Sequence, residues 1–226
     1  MGCRGLLLFL FLVSAVAAVQ AQSVMTVSGA PFTATWTAKV ERTRGIEIIV
    51  AEVARASDGS VYQARMVDGK IQSVAIDDVP NQRRISLSVP TSTCEVSTPP
   101  GRPYWVVRTV AQQRAVLEHW HAEFEKGFDR KGPEISKRET AMGTKVEDGM
   151  TVFGQHYVHT RNSDGSVVSE GETWQTDLGF VISQTSRQVD PKTTSTSELK
   201  DIHRGEPDPK LFQLPVACVS PQHARH

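Results

Sequence analysis

From Phe32 to Val40 the apolar side chains fall on every second position: Phe32, Ala34, Trp36, Ala38 and Val40. Thr33, Thr35, Thr37 and Lys39 hold the alternate positions. Period two with a β-branched polar face predicts a half-buried strand. The same rhythm continues through Ile46 to Ala54, Val61 to Val67, Ile71 to Ile76, and Ile85, Leu87 and Val89. Asp58-Gly59 and Asp68-Gly69 separate these runs. Asp-Gly favours tight hairpins, because both central residues of such a turn need positive φ. The first half therefore predicts an antiparallel meander.

Pro90, Pro99, Pro100, Gly101 and Pro103 then crowd a stretch that cannot hold a central strand. The period changes from Thr109 to Phe128, where Leu117, Trp120, Phe124 and Phe128 recur at three- and four-residue spacing. This is the one convincing helix, with an apolar stripe for packing on a sheet. Strands return at Thr144 to Val146, Met150 to Thr160, Ser166 to Trp174, Phe180 to Gln188 and Glu198 to Ile202. Asp148-Gly149, Asp164-Gly165 and Leu178-Gly179 mark the turns. The fold class expected from this pattern is mainly β (α+β): an antiparallel sheet packed on one principal helix, in a single domain.

Composition narrows the function classes. Lys+Arg and Asp+Glu both number 25, and hydrophobic residues make up 39% of the 226. That excludes a disordered chain and leaves no electrostatic footprint for nucleic acid. Residues 1–21 read as an export signal, with Arg4, an apolar run from Leu6 to Val13, and Val19-Gln20-Ala21 ahead of cleavage before Gln22. A retained anchor is the rival. The expected layout is a signal peptide at 1–21, one β-rich domain at 22–216 and a tail at 217–226. The protein is expected to be exported, periplasmic or extracellular, with no transmembrane segment in the mature chain. Cys3 lies in the signal, which leaves Cys94 and Cys218. These either pair in an oxidising compartment or remain two separate thiols.

Candidate chemistry is sparse. His119 and His121 are two apart on a helix, and His156 and His159 three apart on a strand, so each pair points to different faces. A metal-dependent hydrolase would need several of Glu118, His119, His121, Glu123 and His156 to converge; His223 and His226 lie in the tail. Neither a Gly-x-Ser-x-Gly elbow nor a phosphate-cradling Gly-rich loop occurs. The expectation is a non-enzymatic protein with no cofactor and no metal.

The C-terminal third carries a resemblance. Glu172-Thr173-Trp174, Leu178-Gly179-Phe180-Val181 and Asp190-Pro191 lead to Glu206-Pro207-Asp208-Pro209-Lys210-Leu211-Phe212-Gln213-Leu214-Pro215. This order resembles the tail of a group of uncharacterised exported bacterial proteins. More distantly it is similar to the periplasmic lipoprotein-carrier and outer-membrane lipoprotein-sorting class. That resemblance implies a strongly curved antiparallel sheet or half-open barrel, closed on its concave side by one principal helix, with an apolar concavity that receives acyl chains; the hairpins, alternating faces and single amphipathic helix agree with it. The Pro-rich stretch and the single helix depart from that pattern.

If such a concavity exists, Phe32, Trp36, Leu117, Trp120, Phe124 and Trp174 are expected to line it. Leu211, Phe212 and Leu214 are expected to plug an open sheet edge or barrel end. The leading expectation is an envelope protein that binds an apolar or lipid-like ligand. The alternative is a protein–protein interaction module whose interior is filled by its own side chains, with another envelope protein as partner.

Overall fold

The computed structural model describes residues 25–99, 103–189 and 192–219. The signal read at 1–21, and His223 and His226, lie outside those residues. Two meanders make up the sheet. The first comprises β1 (Met25–Ser28), which stands apart, and then β2 (Phe32–Arg42), β3 (Gly45–Arg55), β4 (Val61–Val67), β5 (Lys70–Asp78), β6 (Arg83–Ser88) and β7 (Thr93–Ser97). β8 (Trp105–Arg108) and the helix α1 (Val110–Glu125) follow. The second meander is β9 (Phe128–Lys131), β10 (Ile135–Glu147), β11 (Met150–Arg161), β12 (Val167–Thr176), β13 (Val181–Gln188) and β14 (Thr193–Arg204).

From β2 to β7 and from β9 to β14 every strand pairs with its sequence neighbour. A single long-range pairing, β14 with β2, joins the two into a 12-stranded antiparallel sheet that is curved and not closed. β7 and β9 are its edges, and β1 pairs with β8 in a separate parallel ribbon. This is the half-barrel packed on one helix that the resemblance implied and the alternation agreed with.

Two of the Asp-Gly turns have both residues at positive φ: Asp68 at 51° with Gly69 at 68°, and Asp148 at 49° with Gly149 at 67°. That backbone matches the right-handed twist of the flanking strands. At the other two, only the glycine is positive, and Asp58 and Asp164 accept bonds from the amides of Ser60 and Ser166 instead. These are Asx turns in longer connections.

The structure also corrects several boundaries. α1 stops at Glu125, because Gly127 takes φ 74° and Phe128 opens a strand. β10 starts at Ile135, nine residues before the Thr144 expected from the pattern, and β14 starts in the Thr/Ser cluster at Thr193. Both carry mostly polar side chains, and pairing on two sides holds them extended. β7 lies inside the Pro-rich stretch, where only an edge strand is tolerated.

Two cores result. Phe32, Ala34, Met150, Val152, Phe180 and Ile182 form one, joining the start of β2 to β11 and β13. Ala54, Tyr62, Ala64, Ile76, Ile85 and Cys94 form the other, within the first meander. Leu211, Phe212, Leu214 and Cys218 pack on the second core, from a 3-10 turn (Pro209–Phe212) and the short helix α2 (Val216–Val219). They lie over the face of the sheet as a strap. A disulfide between Cys94 and Cys218, with Cα atoms 5.2 Å apart, ties that strap to β7.

Where the two meanders meet, Arg55 is buried. Its guanidinium donates to the carbonyls of Ala30 (2.7 Å), Leu178 (2.7 Å) and Gly179 (3.2 Å), and stacks on Phe32 and Phe180. Burial without a carboxylate partner lowers its pKa to about 10.

Candidate functional site

The helix starts where its cap chemistry allows. Thr109 accepts from the amide of Gln112, and the Gln112 side chain accepts from the amide of Thr109, a reciprocal capping box. α1 then lies over β10 and β11. Gln113 and Leu117 are its buried residues.

Its approach to the sheet depends on Gly179. A Cβ there would lie 2.8 Å from Cγ of Gln113, and φ is 81°. One ion pair holds the helix from the side, with Arg114 Nη2 2.6 Å from Oδ2 of buried Asp177. The amide of Asp177 donates to the carbonyl of Thr151, which fixes the carboxylate on the sheet.

Between helix and sheet is a cleft. Leu117, Trp120, His121 and Phe124 wall it on the helix side, and Phe153, Gln155, Thr173 and Gln175 on the sheet side. Its volume is about 30 Å³, the space one water occupies in the liquid. Trp120 is 46% exposed. The His121 ring stands edge-on to Phe153 with centroids 5.7 Å apart, and its buried Nε2 has no hydrogen-bond partner among the described residues. The helix side of the cleft is therefore apolar and aromatic apart from His121, whereas the sheet side sets Phe153 beside the polar Gln155, Thr173 and Gln175.

The structure divides the six residues expected to line a cavity. Leu117, Trp120 and Phe124 meet at the cleft. Phe32 is packed in the first core, stacked by Arg55. Trp174 packs against that core, with its ring over Gly154 and the Lys145 amine 4.2 Å from the ring centre. Trp36 is half-buried on β2 and borders none of the cavities described here.

The histidines remain dispersed. His121 faces Glu125 at 3.5 Å, His159 meets the Ser169 hydroxyl at 2.8 Å, and His156 lies opposite Glu172. Among the described residues no group of three His, Cys, Asp or Glu side chains could hold a metal ion. Phe153, Gln155 and the unpaired His121 nitrogen were not foreseen as parts of one site. The helical stripe marks its own residues, but nothing local to β11 marks its partner face.

No protein-family model matches the sequence, and no curated protein matches it. Solved structures do. One is an uncharacterized conserved protein from Thermus thermophilus, with a TM-score of 0.47 and 8% identity over 84% of this chain and 88% of that one. A LolA-superfamily protein from Nitrosomonas europaea gives 0.38 and 5% over 82% and 91%. An outer-membrane lipoprotein-sorting domain from Vibrio parahaemolyticus gives 0.33 and 5% over 81% and 89%. The last two bear names from the class that the C-terminal third resembles. At these identities they say nothing about what this chain binds.

Proposed function

We propose that the chain is an exported, non-enzymatic envelope protein, one β-rich domain at 22–216 behind a removed signal, that takes an apolar or lipid-like chain beneath α1. The observation that carries this is the convergence of Leu117, Trp120, Phe124 and Phe153 on one cleft with Trp120 exposed. At about 30 Å³ the cleft is closed to an acyl chain, so binding requires α1 to lift from β10 and β11. Only two helix residues are buried and the Arg114 side chain is half exposed, so the lift breaks few contacts.

The small volume favours a second reading, in which the sheet interior is filled and the protein acts through its surface on another envelope protein. Native mass spectrometry of detergent-free protein separates the two. The first reading expects an adduct of lipid mass in the wild type that is lost in Trp120→Ala and Phe124→Ala. A clean unliganded mass, together with no uptake of an apolar fluorescent probe, overturns it and leaves the second.

A further inference from the structure

The hairpins β2–β3 and β4–β5 carry an aliphatic patch at their tips. Ile46, Ile48 and Val50 occupy alternate positions on β3 and so share one face. Val50 lies opposite Met66 on β4, and Met66 opposite Ile71 on β5, which continues that face across three strands. Ile46 is 63% exposed and Ile48 66%, and Ile71 and the tip residue Val67 are exposed as well. The opposite ends of the same strands behave otherwise: Ala56, just past β3, and Val79, just past β5, are buried. The C-terminal strap covers the second core but leaves Ile46, Ile48 and Ile71 in solvent. Both tips are tight, with Arg42 opposite Gly45 in one and Asp68 and Gly69 both at positive φ in the other. A contiguous aliphatic patch held out on rigid turns marks a contact surface.

Charge says which kind. The charged residues of the two tips, 39–48 and 65–71, are Lys39, Arg42, Arg44, Arg65 and Lys70 against Glu41, Glu47 and Asp68. That is a basic excess in a chain whose formal net charge is +0. Lys39 engages Glu41 at 2.6 Å, and Glu47 is held by Arg42 at 2.7 Å and Arg65 at 3.0 Å. Arg44 and Lys70, one at each tip, have no hydrogen bond or ion pair among the described residues; of the tip acids only Asp68 is left likewise. Arg44 precedes Ile46 by two residues, Lys70 directly precedes Ile71, and the two tips hold no aromatic ring. Aliphatic side chains flanked by long basic ones suit a lipid–water interface, where the first enter the acyl boundary and the second reach the headgroups. Protein-binding patches are centred on aromatic anchors instead.

We infer that the tips of β2–β3 and β4–β5 dock the protein on an anionic lipid surface, with Ile46, Ile48 and Ile71 at the acyl boundary and Arg44 and Lys70 on the phosphate groups. This surface shares no residue with the cleft under α1 and does not depend on what that cleft binds.

Cosedimentation of the purified chain with vesicles of phosphatidylcholine, alone or mixed with phosphatidylglycerol, tests this. Binding should be about tenfold stronger with phosphatidylglycerol present, and added salt should remove that advantage. Arg44→Ser with Lys70→Ser should bring the mixed vesicles down to the phosphatidylcholine level. Ile46→Thr with Ile48→Thr should weaken binding to both vesicles about tenfold. Threonine is β-branched and both sites are exposed, so this variant keeps the hairpin. Trp120→Ala should bind vesicles as the wild type does. No binding to the mixed vesicles, equal binding to both, undiminished binding in the isoleucine variant, or loss of binding in Trp120→Ala overturns the inference. So does a dimer in solution that the isoleucine variant dissociates, which would assign the patch to a second copy of the chain.

Discussion

The two meanders are covered in opposite ways. The first is closed by a C-terminal segment of the chain: Leu211, Phe212 and Leu214 pack on its core, and a disulfide spanning 124 residues holds them there. The second is covered by α1, which buries Gln113 and Leu117, leaves Trp120 half exposed and is tethered by one ion pair. A covalently tied cover cannot leave its sheet without reduction, whereas a helix held by few contacts can open while the rest stays folded. The contrast separates a cover held by a covalent bond from one held by few contacts.

The largest way to break the comparison is to free the strap. Replacing Cys94 and Cys218 together by alanine should lower unfolding free energy by up to about 5 kcal/mol on the loop-entropy formula, measured by urea denaturation. Hydrogen exchange should quicken in β4 to β7 and leave α1 unchanged. Equal loss of protection in α1 would show that the two covers are one cooperative unit.

Arg55→Met comes next, because it acts where the meanders meet. It leaves one buried and two part-buried carbonyls without this donor, at a cost of about 2–4 kcal/mol, and both meanders should lose stability together. A transition that splits in two would mean that the meanders fold separately.

Arg114→Gln sharpens the contrast from the other side. Its side chain is half exposed, so the global cost should be at most about 1 kcal/mol. Exchange in α1 should nonetheless quicken, and uptake of an apolar probe should rise.

The smallest effect is at His159. Burial, then the charge of Lys137, holds its imidazole below its ordinary pKa, against the opposing pull of Glu139. The unfolded chain then takes up this proton first as pH falls. The stability it contributes is complete above about pH 6.5 and is lost as pH drops through the lower folded value. His159→Gln should reduce the fall in melting temperature between about pH 7 and about pH 5. An unchanged fall would assign that slope to other groups.

Legibility followed range. The alternation from Phe32 to Val40 was readable because period two belongs to a half-buried strand wherever it pairs. The turns at Asp68-Gly69 and Asp148-Gly149 were readable because their backbone preference is local. The stripe of Leu117, Trp120 and Phe124 named the helical half of the cleft for the same reason. β10 was not readable over Ser136 to Thr140, where Lys137, Arg138 and Glu139 follow one another. Those residues are extended because β9 and β11 pair with them on either side.

By itself, then, the sequence determined the class of fold, the order of its hairpins and the apolar stripe of its helix. Only the tertiary structure decided that β14 pairs with β2, that Phe32 and Trp174 belong to a core rather than to the cleft, and that His121 meets Phe153. It also set Arg55 among carbonyls. The physical reason is that φ preferences and periodicity act within a few residues. Register between strands over a hundred residues apart is instead the sum of many weak contacts, none of which marks its own partner.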